Sequence, residues 1–197
     1  VIAAAYHRRE PWTTWTIRKK EGATMEFRLD QTIEVLERTP GMLRSLLGGL
    51  SEPWASCNEG ADTWTAFDVV GHLVHGEQSW IDRLESILEH GEWRTFTPSD
   101  LSAQFEKFKG KSLAELLEAF AALREQNLRT LKELDLQPEQ LERRCTHPEF
   151  GSVTAGQLLA TWAVHDLGHV AQITRVMAKR YSDDVGPWKA YLRILRD

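Results

Sequence analysis

His165 and His169 stand four residues apart, the spacing that puts two side chains on one face of a helix with Cβ atoms about 5–6 Å apart. Two imidazoles at that separation converge on one cation, and neutral imidazole is the commonest protein ligand for a metal. The face they occupy follows from advancing about 100° per residue from Trp162. Ala155, Leu158, Leu159, Ile173, Val176 and Met177 all fall within about 60° of it. His169 falls at about −20°, His165 at about −60° and Asp166 at about +40°, so all three point toward an apolar interior. Burying such groups costs free energy unless something satisfies them, and a metal ion would do so.

Two histidines make a weak site, so a third ligand is needed. The segment around Val69 offers His72 and His75. Its apolar arc, with Leu73, Trp80 and Leu84, centres near about +60° from Val69. His72, near about −60°, lies at the edge of that arc, and His75, near about −120°, lies opposite it and is expected to be mainly solvated. Glu77, near about +80°, faces inward as an outer acceptor or a fourth ligand. Trp64, Trp80 and Trp162 line the pocket or form plain core. His90 ends a helix, where a partly positive ring suits the dipole. His147 precedes Pro148 at a turn, within reach of a pocket mouth or purely structural.

Other chemistries lack their residues. Cys57 and Cys145 form no CxxC, which excludes a cysteine-rich zinc site and a disulfide framework and fits a reducing cytoplasm. GxSxG, a phosphate-binding glycine loop and HExxH are absent; the histidine pair reads His165-Asp166-Leu167-Gly168-His169. A formal net charge of −5 does not advertise a nucleic-acid partner. No apolar run reaches the ~20 residues of a membrane span, and Val1–Ala5 is too short for the apolar part of a signal peptide.

The elements that must position these residues are helical. The 197 residues, 42% hydrophobic and 27% charged, are enough for one domain with one core. A first helix runs from about Met25 to Leu47, with a bend or restart at Thr39-Pro40 and an end at Gly48-Gly49. A second runs from Thr65, capped with Asp68, to about His90. A short helix over Ser99–Phe108 comes next, then a third long helix from the Ser112/Glu115 capping box to about Leu134. Asp135–Ser152 connects it to a fourth, which runs from the Thr154/Gln157 capping box to about Tyr181. Trp188–Leu195 forms a last short helix. With no alternating β-pattern, the expectation is an all-α fold, a four-helix bundle with short additional helices. Link lengths do not choose between up-down and crossover topologies. Residues 1–24 carry five basic and two acidic residues, show no clean period, and read as an N-terminal extension, either upstream sequence or a surface-docked tail; the bundle domain is expected over 25–197.

The runs His147-Pro148-Glu149-Phe150-Gly151-Ser152-Val153-Thr154 and Gln157-Leu158-Leu159-Ala160-Thr161-Trp162 resemble the DinB-like (YfiT-like) metalloenzyme family, as does His165–Gln172. Trp64-Thr65, Val69–Leu73, Thr39-Pro40 and Val185–Trp188 are similar to its pattern too, so the resemblance covers roughly 25–197. It implies a crossover between helices two and three. It also implies a divalent metal, nickel or zinc first and iron, copper or manganese after, held by His72, His165 and His169. Homodimers are common in that family. Some relatives are thiol transferases that use a low-molecular-weight thiol such as bacillithiol or mycothiol, and others have no known substrate.

Three histidines leave a coordination position open, the arrangement of catalytic rather than structural sites. The expected function is therefore a metal-dependent enzyme acting on a small molecule, by thiol transfer or hydrolysis. Asp166 or Glu77 would orient an imidazole or move a proton, or would be buried groups satisfied by neighbouring side chains. The alternative is a metal-stabilised module that binds a small molecule or partner without turnover.

Overall fold

The computed structural model describes residues 27–91 and 107–196. The extension over 1–24, the expected helix start at Met25 and most of the expected helix Ser99–Phe108 lie outside them.

Helix α1 spans Leu29–Leu47 and is followed by a single turn, α2 (Glu52–Ala55). The expected bend or restart at Thr39-Pro40 does not occur: α1 continues through Pro40 and stops at Gly48, whose N–H donates to Arg44 O at 2.8 Å. The expected second helix is two. Helix α3 (Ala66–Glu77) opens on the Thr65/Asp68 capping box, and α4 (Trp80–His90) follows after Gln78-Ser79. The break has a local cause. Ser79 donates both its N–H (2.9 Å) and its Oγ (3.1 Å) to the Gly76 carbonyl, which the next helical turn would otherwise use.

Helix α5 (Leu113–Glu133) opens on the Ser112/Glu115 box. A turn, α6 (Pro138–Leu141), then leads to two strands that the sequence pattern did not announce, β1 (Arg144–His147) and β2 (Gly151–Thr154). They pair antiparallel, Arg144 opposite Thr154 and His147 opposite Gly151, and Gly151 takes φ +73° at the turn. Four residues are too few for a period of two to show against the background. Ala155 N donates to Arg143 O at 2.9 Å, which ties the hairpin to the start of α7 (Ala155–Lys179). Helix α7 opens on the Thr154/Gln157 box, and 3₁₀ turns at Gly186–Tyr191 and Arg193–Leu195 end the described chain.

Helices α1 and α3 each pack against both α5 and α7. The core falls into two apolar layers. One holds Leu36, Trp80, Leu84, Leu128, Leu159 and Trp162, the other Leu43, Val70, Val74, Phe120, Leu116 and Ile173. Reading which layer each helix enters first gives its direction. Helices α1 and α7 run from the first layer to the second, whereas α3–α4 and α5 run from the second to the first. The second and third long helices are therefore parallel neighbours. This is the crossover topology. Between the layers lies a polar level: Thr39, Glu77, Arg124 and Asp166, all buried.

Candidate metal centre

The imidazoles of His72 on α3 and of His165 and His169 on α7 form the one group of three metal-competent side chains found among the described residues. His165 Nε2 stands 3.0 Å from His72 Nε2 and 3.2 Å from His169 Nε2. Ligands on a tetrahedral cation at about 2.0–2.1 Å are themselves about 3.3 Å apart, so the spacing is close to that of a ligand set. His169 Nδ1 lies 2.8 Å from Gln172 Oε1. An amide oxygen only accepts, so Nδ1 carries the proton and Nε2 turns a lone pair toward the other rings. Three ring nitrogens meeting at one point cannot all satisfy one another, and His165 Nδ1 is buried with no hydrogen-bond partner. This donor set fits a divalent cation.

The electrostatics agree. Burial, reinforced by the neighbouring charges of His169, His72, Arg124 and Arg83, pushes His165 from its ordinary 6.5 down to about 3. Burial also lowers His169, opposed by its bond to Gln172 and by the charge of Asp166. Both rings are thereby held in the neutral form that binds metal. Aromatic rings wall the cluster. Trp64 lies 4.9 Å from the His72 ring and stacks at 6.4 Å on His169, and Trp80 meets His165 edge-on at 5.5 Å.

The carboxylates have other partners. Arg124, near the middle of α5, is 1% exposed and touches three helices. Its Nε and Nη2 donate to Glu77 at 3.0 and 2.7 Å, its Nη1 and Nη2 to Asp166 at 2.7 and 3.1 Å, and its Nη1 also to Leu36 O at 2.9 Å. Trp162 Nε1 (2.9 Å) and Asn127 Nδ2 (3.0 Å) complete the shell of Glu77. Glu77 and Asp166 are thus buried groups satisfied by neighbouring side chains, one of the two readings expected for them. Gln172, one turn beyond His169, is the side chain hydrogen-bonded to the His169 ring.

Two further expectations change. His75 is half-buried with its Nδ1 shielded from solvent, not mainly solvated. The His147 ring serves the turn: its Nδ1 accepts from Glu149 N and Phe150 N, both at 3.2 Å, and its face stacks on Phe150 at 4.5 Å. Trp80 and Trp162, stacked at 5.6 Å, are core residues that link the ion cluster to His165. Arg124 was the residue sequence reasoning missed. The signal was its place in the stripe Leu117, Phe120, Leu128, Leu131, where a charge must find buried partners.

Beside His165 an open cleft of about 800 Å³ runs between β2 and α7, lined by Phe150, Ser152, Val153, Thr161 and Val164 among others. None of its lining residues other than His165 is ionisable. No helix of the described residues is long and apolar enough to cross a membrane.

A family model described as the DinB superfamily matches residues 35–173. A protein of Oceanobacillus iheyensis named "Putative metal-dependent hydrolase" is 24% identical over 161 residues, covering 81% of this chain and 92% of its own. Among solved structures, YfiT from Bacillus subtilis superposes with a TM-score of 0.69 at 23% identity, covering 82% of this chain and 91% of that one. That protein is described as a probable metal-dependent hydrolase with an unusual four-helix bundle topology.

Proposed function

The chain belongs to the DinB superfamily, and from that premise we propose that it is a metal-dependent hydrolase of a small, uncharged substrate, with His72, His165 and His169 holding one divalent cation. The observation that carries this reading is the approach of three Nε2 atoms, at 3.0 and 3.2 Å, from two different helices. When bound, such a cation supplies Lewis acidity and a nucleophile at neutral pH. Nickel and zinc suit an all-imidazole set, and geometry with availability decides between them.

The chain's own residues do the rest. His72, His165 and His169 bind, and Gln172 fixes the tautomer of His169. Trp64 and Trp80 exclude water from the back of the rings. The cleft under Phe150 and Val164 takes the apolar part of the substrate and brings it beside His165. Glu77 and Asp166 are held by Arg124, so neither is assigned a proton-transfer step.

The test is metal content and hydrolytic turnover of protein purified without a histidine tag. One divalent cation per chain is expected, with hydrolysis of uncharged esters or amides that chelation and His169→Ala both abolish. Turnover that survives His169→Ala would overturn the reading. Turnover only with an added thiol and an electrophile would replace hydrolysis by thiol transfer.

A further inference from the structure

We infer that Arg124 is a positioning residue for the three-imidazole site: it locks together the two helices that supply the imidazoles. The inference rests on the metal-site reading above and extends it to a residue that touches none of the ligands. Glu77 lies five residues after His72 on α3, and Asp166 lies between His165 and His169 on α7. One guanidinium grips both carboxylates through two bonds each, and a third anchor reaches the Leu36 carbonyl on α1. Its faces are closed by Phe120 at 4.8 Å and Trp162 at 5.1 Å, so the fork has no other place to go. Trp162 carries the same constraint onward, since it bonds Glu77 and stacks on Trp80, which abuts His165.

Geometry argues for a positioning role over a simple stabilising one. A buried ion cluster is a poor source of net stability, because desolvating its charges offsets most of their attraction. What a planar fork does provide is a fixed distance and angle between two acceptors. Here the two acceptors belong to the ligand-bearing helices, close in sequence to the ligands themselves. A shift of a few tenths of an ångström in either helix would spread nitrogens that must meet on one ion.

The experiment compares the intact chain with Arg124→Lys, which keeps the charge but cannot fork to two carboxylates. Three quantities are read: zinc affinity by chelator competition, the visible absorption of the cobalt(II)-loaded protein, and the melting temperature of the metal-free form. The expected result is a loss of zinc affinity of about 10–100-fold with an altered cobalt spectrum, while the metal-free protein keeps its helical content. Unchanged affinity and spectrum in a folded Arg124→Lys would overturn the inference. If that variant does not fold, the neutral triple replacement Arg124→Met, Glu77→Gln and Asp166→Asn leaves no unpaired charge and is read the same way. Collapse of both overturns it too, since the cluster would then be a condition of folding. Failure of the intact chain to bind zinc, nickel or cobalt would remove the metal-site reading itself, whereas normal binding by intact chain and variants alike removes this inference alone.

Discussion

Pro40 stands one helical turn beyond Leu36, and the amide proton it lacks leaves the Leu36 carbonyl to receive Arg124 Nη1 at 2.9 Å. A proline in a helix interior removes one i→i−4 hydrogen bond and costs about 3 kcal/mol against alanine. Here the orphaned carbonyl has another donor, from a different helix. Pro40→Ala restores an amide that must share that acceptor with the guanidinium. Its stabilising effect is therefore expected to stay below about 1 kcal/mol, well short of the propensity difference. Urea denaturation of the two proteins checks this; a gain near the full difference would show that Arg124 does not depend on the freed carbonyl.

Gln172 supplies the outer hydrogen bond that fixes His169. Gln172→Leu removes that acceptor, and the expected consequence is a loss of metal affinity of about 10–100-fold with the fold retained. Chelator competition with zinc measures it. An unchanged affinity would mean that the ring holds its tautomer without help.

Metal loading should raise thermal stability, because a ligand bound only by the folded state stabilises it by mass action. Melting the protein before and after chelation, then after adding back nickel or zinc, is the measurement. His72→Ala, His165→Ala and His169→Ala should each abolish the shift.

The metal-free protein should lose stability in acid over a defined window. Burial holds folded His165 neutral down to about 3, while its ordinary value is 6.5, and His169 is lowered in the same direction. Below the ordinary value the unfolded chain takes up protons that the folded chain refuses. Stability is thus full above about 6.5 and declines as pH falls toward about 3. Melting temperatures across that range, with His165→Gln as the control of shallower slope, decide the point.

Phe150 overhangs the cleft with 71% of its surface exposed. Its loss should weaken substrate binding and spare the chemistry. Phe150→Ser is expected to raise KM several-fold and leave kcat within about twofold, as removal of uniform binding does. A fall in kcat with unchanged KM would place Phe150 in the reacting geometry instead.

Local spacing made much of this legible. The i, i+4 pair His165 and His169 and the inward phase of His72 need only a helical period. The three capping boxes, Thr65/Asp68, Ser112/Glu115 and Thr154/Gln157, need only three residues each, and all three form. Arg124 was hidden because its partners lie 42 and 47 residues away. A sequence periodicity shows that a charge is buried but not what answers it. The break at Gln78-Ser79 was hidden for the opposite reason: it turns on one serine competing for one carbonyl inside a strongly apolar helical pattern. Helix direction was beyond reach as well, since the links joining the long helices are of similar length.

The way the long helices are arranged has a consequence during synthesis. Helix α1 finds its main partners in α5 and α7, not in α3, the long helix made next. A nascent chain that has reached His90 therefore has little to bury α1 against. Its apolar stripe must wait for residues after Leu113, and then for α7, before either half of the interior can close. The protein is thus expected to stay protease-sensitive on the ribosome until nearly all of it has emerged, and to fold in one late step.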